Sequence, residues 1–153
     1  VTPGYDLDVH MSHVTAADNP VPTFFRAMPS NPDSQLSVTI SNTIVFSATH
    51  AFAAGQDGGT VAVRHANTLA YNVLDLHYVE EGAPTMVAAG TVTGNPRLNV
   101  NYRLQPGSAA IDAGVRTTVY TDIDGQRRPQ GTAYDIGADE YGAWLVDLPL
   151  VLR

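Results

Sequence analysis

The 153-residue chain contains no cysteine, and all eight of its basic residues are arginine, so lysine is absent as well. Without cysteine there is no disulfide framework, no thiol nucleophile and no thiolate zinc site. Without lysine there is no P-loop phosphate grip, no Schiff base and no amine general base. Charge is scarce, at 15% of residues, where an ordinary soluble domain carries roughly a quarter. What charge there is runs acidic, with a net −7 and a pI near 4.9. No basic stripe is available to neutralise phosphates, which excludes nucleic acid as a partner. No apolar run approaches the roughly 18 residues of a membrane span. Helical periodicity is missing too: only residues 48–54 have a helix-friendly composition, and they stop at Gly55.

What is abundant points to strands. Seventeen Val, fifteen Thr and five Ile make up about a quarter of the chain, in short runs between Gly, Pro, Asn and Asp. Residues 7–13 read LDVHMSH, residues 36–42 read LSVTISN, and residues 61–67 read VAVRHAN. The first two copies are offset by 29 residues and the last two by 25. In each copy apolar residues hold the first and third places, and His or Asn holds the seventh. Alternation means strand, and recurrence at this period means one coil per repeat. The fold expected is all-β: a right-handed parallel β-helix of about four coils with a carboxy-terminal cap. In it Asn42 and Asn67 stack as an amide ladder with His13 above them. Residues 1–98 form the coils, 99–141 the capping segment, and 142–153 an apolar tail.

The last third carries the sharpest motifs. Residues 99–114 read NVNYRLQPGSAAIDAG, 121–129 read TDIDGQRRP, and 134–141 read YDIGADEY. This resembles the closing segment of secreted bacterial β-helix proteins of the pectate-lyase-like superfamily, in particular the choice-of-anchor Q type. Their ending is YxLxxGSPAIDAG, then DxDGxxRP, then DIGAxE; Ala109 stands where they usually have Pro. Upstream, His13-Val14-Thr15, Ser41-Asn42-Thr43-Ile44-Val45 and Gly94-Asn95-Pro96 resemble coil and turn segments of the same proteins. The resemblance implies the fold and an extracellular or cell-surface location; it implies no single activity.

Read physically, a solenoid ends in an open strand edge and needs a lid. Tyr102, Leu104 and Ile111 are the residues expected to cover that end. Asp112 with Gly114 and Asp135 with Gly137 read as turns in which Asp accepts backbone N–H groups and Gly supplies a positive φ; Asp122, Asp124 and Gly125, read as a salt-bridged turn, and Glu140 belong to the same cap. Arg127 or Arg128 is expected to pair with Asp112 or Asp135 in a forked bond between two loops.

Rival chemistries are weaker. Asp122 and Asp124 before Gly125 look like the start of a calcium loop, but the twelfth position is Ala133, and two arginines follow. Calcium there is the one cofactor with any support; otherwise none is expected. His10 and His13 fall on opposite strand faces, and His50, His65 and His77 have no neighbour at ligand spacing. Asp6 and Asp8 share a face but read as a solvated edge, and Arg64 has no acidic cluster at a matching coil position. Gly55-Gln56-Asp57-Gly58-Gly59 is a turn, not a phosphate loop. No catalytic residue is assigned.

The expected function is therefore an extracellular structural, self-assembling β-solenoid whose partners are copies of itself, joined head-to-tail. Trp144, Leu145, Val146, Leu148, Leu150, Val151 and Leu152 are the residues expected to make that contact, since so many apolar side chains must dock somewhere. The alternative is a module of a polysaccharide-binding or polysaccharide-cleaving β-helix protein or adhesin. Tyr71, Tyr78 and Tyr120 are its candidate stacking platforms.

Overall fold

Alternation in residue choice becomes strand in space, and the offset of the repeat becomes the pairing register. The computed structural model describes residues 4–18, 23–56 and 58–142. Its strands are β1 (Asp6–Ser12), β2 (Thr15–Ala17), β3 (Thr23–Ala27), β4 (Gln35–Gly55), β5 (Thr60–Glu81) and β6 (Thr85–Val92). All pair in parallel. β1, β2 and β3 lie in succession along β4, β4 lies along β5, and β6 lies along the first part of β5. The result is a parallel β-solenoid of about three turns, not the four expected. Strand pairing ends at Val92, and the chain continues through turns and isolated antiparallel bridges. No helix among the described residues is long and apolar enough to cross a membrane.

The three repeat copies stack as read: Leu7, Leu36 and Val61 are register partners, as are Val9, Val38 and Val63. Residues 48–54 are strand within β4 despite their helix-friendly composition. Phe52 is paired with Phe25 on one side and His77 on the other, and that pairing overrides a weak local preference.

Corners make the strands wrap. His13, Asn42 and Asn67 occupy the same place in successive turns and hold left-handed φ values of 55°, 48° and 50°; Gly90 follows at 73°. A second corner row is Asp18, Ser47 and Asn72, at 48°, 56° and 53°. Asn and Asp tolerate this region better than other side chains because their short polar groups bond locally. Each corner also breaks the alternation. Val38 and Ile40 pack inside the coil, but beyond Asn42 it is Val45 that packs there. Ile44 joins a different cluster.

Two apolar clusters follow. The first fills the coil, with Ile40, Val45, Phe52 and Val63 at its centre and the Phe24 ring edge-on to Phe52. The second lies against the outer wall, where Ile44 and Leu69 meet Leu104, Ala110 and Ile136 of the closing segment. Burying each such side chain is worth about 1.5–3 kcal/mol, so this wall is a strong attachment.

Asn42 joins coil to closing segment by hydrogen bonds. Its Oδ1 accepts the Val115 N–H at 2.9 Å, its Nδ2 donates to the Val115 carbonyl at 2.6 Å, and its own carbonyl accepts the Gly137 N–H at 2.9 Å. Asn67 reaches Ala113 in the same way, at 3.4 Å. The ladder amides thus turn outward to this segment, and only His13 and Asn42 bond to each other, at 3.0 Å. Asn42→Ala loses both Val115 bonds and places a Cβ-bearing residue without local polar support at φ 48°; it should cost about 2–4 kcal/mol. Asn42→Gly should recover about 1 kcal/mol of that. Urea denaturation of the two variants checks both values.

Candidate functional site

The motifs of the last third converge in one polar network on the solenoid flank. Each carboxylate takes up backbone donors that have no strand partner. Asp122 Oδ1 accepts the N–H groups of Asp124 and Gln126 at 2.9 and 2.7 Å, and its Oδ2 accepts that of Glu140 at 3.2 Å. Asp135 accepts from Asp112 at 2.7 Å and Tyr141 at 2.6 Å, and Asp112 accepts from Ala133 at 2.8 Å. Asp139 accepts from Leu104 at 2.8 Å. Gly125 and Gly137 turn at φ 79° and 104°. Gly114 needs no such turn; it bridges to Tyr134, whose carbonyl accepts its N–H at 2.7 Å.

At the centre lies an ion pair that the sequence reading assigned differently. Arg128 Nη1 donates to Glu140 Oε1 at 2.7 Å, with both side chains fully buried. Its other donors go to the carbonyls of Thr121, Gly137 and Ala138. Glu140 in turn accepts the N–H groups of Asp135 and Gln130. The fork is therefore not with Asp112 or with Asp135, both of whose oxygens the backbone has taken, and Arg127 is exposed.

The placement of the segment also differs from a lid over the last coil. Leu104 and Ile111 pack against Ile44 and Leu69 on the outer wall, and Tyr102 is largely exposed at φ 59°. The donors run to the same wall: the Ala138 N–H goes to Thr15 Oγ1 and the Gly137 N–H to Asn42. A lateral buttress results because the corner at Asn42 turns Ile44 and Leu69 outward. Meanwhile β6 keeps Val87, Ala88 and Ala89 exposed. Residues 144–152, with the apolar set expected to self-associate, lie outside the described residues.

Carboxylate oxygens of Asp122, Asp124 and Asp139 come within 4.8 Å of one another, beside a cleft of about 340 Å³ lined also by Arg103, Gln105 and Tyr141. Arg103 occupies the position a cation would take: it donates to both Asp124 oxygens at 2.7 and 2.8 Å and lies 3.5 Å from Asp139 Oδ1. With the backbone bonds above, all six oxygens already face a donor of this chain. Calcium would have to displace Arg103, so the group does not suit the ion as arranged.

The fold unites residues that spacing kept apart. His65 and His77 meet inside the last turns, Nε2 to Nε2 at 2.6 Å, and His65 Nδ1 pairs with Thr68 Oγ1 at 3.0 Å. An N···N distance this short is a hydrogen bond between one donor and one acceptor nitrogen. His50 stacks on Tyr78, with ring centroids 4.1 Å apart. Asp6, Asp8 and Arg64, read as unrelated, line one open groove of about 470 Å³ along the first residues of β1, β4 and β5. His13 lies against Tyr134 and bonds Thr117 Oγ1 at 3.0 Å. Its buried Nδ1 makes no hydrogen bond of good geometry, although the backbone of Asp135 and Gly137 lies close enough to favour a proton there.

Comparison with family models, with curated proteins and with solved structures returns no match for this chain.

Burial, reinforced by the Arg128 charge, lowers the His13 imidazole to about 4; burial and then His77 lower His65 to about 4. Burial lowers His77 as well. Burial raises the Asp135 carboxyl to about 6, against the opposing pull of the Asp112 and Tyr141 N–H groups. The histidine contributions are complete above about 6.5 and are lost as the pH falls through about 4, about 3 kcal/mol each for His13 and His65. The Asp135 contribution is complete below about 3.8 and is lost as the pH rises through about 6, offsetting about one histidine. Stability should fall by about 3 kcal/mol from pH 6.5 to 4. His65→Phe should flatten that fall; thermal melts across the range check it. Arg128→Ala, which strands the Glu140 carboxylate, should cost about 3–5 kcal/mol, and Arg127→Ala under about 0.5. Equal melting temperatures for the two variants would mean that the buried pair does not hold the segment.

Proposed function

We propose that this chain is an extracellular structural β-solenoid that associates head-to-tail with copies of itself and has no catalytic centre of its own. One observation carries the reading: among the described residues, the solenoid has two unpaired parallel edges. At one end β1 is paired only with β4; at the other, β6 and the last stretch of β5 have no further strand. Large apolar side chains stay exposed there, including Leu7 at 48%, Leu74 at 78%, Val79 at 51% and Val87 at 43%. Unpaired edges with apolar flanks invite strand addition, and natural solenoids usually block them. The two edges share one direction, so the first turn of one copy can continue the last turn of another. Such a contact joins two different surfaces and builds an open filament unless the rotation closes a ring.

The extracellular assignment rests on the resemblance of residues 99–141 to choice-of-anchor Q closing segments. The absence of catalysis rests on the network above, in which the acids of the closing segment serve as backbone acceptors and ion-pair partners. Sedimentation and electron microscopy of the purified chain test the assembly. We expect concentration-dependent oligomers or filaments, and a monomer for Leu74→Asp combined with Val87→Asp, both exposed positions. A wild type that stays monomeric at high concentration, or a double variant that assembles equally well, overturns the reading. Cleavage of pectate or alginate that disappears in Arg64→Ala would overturn the catalytic part.

A further inference from the structure

We infer that a cleft on the flank, between the second corner row and the loop after β6, binds a neutral oligosaccharide. The cleft measures about 300 Å³ and is lined by Phe46, Tyr71, Tyr102, Asp18, Asn72 and Arg97, among others. That volume lies at the small end of ligand sites, about 300–1,000 Å³, and suits a short stretch of chain. The solenoid register itself builds the aromatic part. Phe46 and Tyr71 are partners in adjacent turns, and their rings lie nearly parallel, at 7°, with centroids 5.9 Å apart. Tyr102 comes from the closing segment, on a tight loop in which Asn99 Oδ1 accepts the N–H groups of Asn101 and Arg103. The site thus exists only where coil and closing segment meet.

Asn95 and Asn99 in its lining spend their Oδ1 atoms on backbone N–H groups, but four other polar side chains are uncommitted. Asp18 and Asn72 stand at equivalent corners two turns apart. Their side chains, and the hydroxyls of Tyr71 and Tyr102, make no hydrogen bond among the described residues. Arg97 spends one nitrogen on the Pro106 carbonyl at 3.3 Å and keeps its other donors. A wholly apolar ligand would leave these groups unpaired, and a small ion would gain nothing from the rings. A pyranose satisfies both: its C–H face packs on an aromatic side chain, and its hydroxyls pair with planar carboxylate, amide and guanidinium groups that bond two at a time. One acid and one base balance in the cleft, on a chain of net charge −7. A polyanionic glycan is repelled there, so the ligand is neutral.

Calorimetric titration tests the assignment with neutral hexasaccharides (β-glucan, xylan and mannan types) and with hexagalacturonate as the anionic probe. At least one neutral probe should bind, at least about tenfold more tightly than hexagalacturonate. Tyr71→Ala risks the fold because Tyr71 packs on the outer-wall cluster. The decisive variants are therefore Tyr102→Ala and Asp18→Gly at exposed positions, glycine tolerating the left-handed corner that Asp18 holds at φ 48°, each expected to weaken binding about tenfold with unchanged melting. Tyr120→Ala, exposed and outside the cleft, should bind as the wild type does. No binding of any neutral probe overturns the proposal. So does preference for hexagalacturonate, or binding that Tyr102→Ala and Asp18→Gly leave intact.

Discussion

The structure depends on the corner row His13, Asn42, Asn67 and Gly90, where each turn of the chain passes through left-handed backbone. A strand that stayed flat would bury one face and leave the other to water. The left-handed residue changes direction and shifts which side chains point inward. That shift moves Ile44 and Leu69 to the outer wall and leaves Val45 inside. It also frees the Asn42 amide to act as a strand would toward Val115, giving one donor and one acceptor. Attachment of the closing segment follows from that geometry and from the apolar wall beside it.

Regular secondary structure is nearly absent from residues 99–142, yet its backbone donors must be satisfied where they are buried. Carboxylates do this work. Asp122, Asp135, Asp139 and Glu140 are each buried, and each accepts backbone N–H bonds. Arg128 neutralises Glu140, whose side chain is fully enclosed. Burying so many acids in a chain without lysine makes the segment sensitive to its few arginines, and unequally so. Arg128 is enclosed, Arg103 is screened at the rim, and Arg127 faces water.

Two surfaces are left over once this packing is complete. The coil ends are unpaired in the strand direction, while the flank cleft lies between wall and closing segment. They adjoin at β5, where Tyr71 and Asn72 of the cleft lie on the stretch that has no further strand, but differ in chemistry. One offers backbone edges and aliphatic groups, and the other offers aromatic rings and uncommitted polar side chains.

Local information carried the coil architecture. The alternation in 7–13, 36–42 and 61–67, and the offsets of 29 and 25 residues, became the strand register directly, because side-chain period and coil length are properties of consecutive residues. The Asp-rich turns were legible for the same reason: an Asp side chain accepts from N–H groups a few residues away. Other features were decided only in three dimensions. Arg128 chose Glu140 because the backbone had already filled the Asp135 oxygens. His65 met His77 across the two corners at Asn67 and Asn72, which a reading of ligand spacing along one strand does not see. The closing motifs lay along the wall because the Asn42 corner turned Ile44 outward. Residues 48–54 became strand because Phe25 and His77 flanked Phe52 in the neighbouring turns. The cleft of Phe46, Tyr71 and Tyr102 joins side chains up to 56 positions apart. Periodicity and turn chemistry are written in neighbours along the chain, whereas partners across turns are set by where the corners fall.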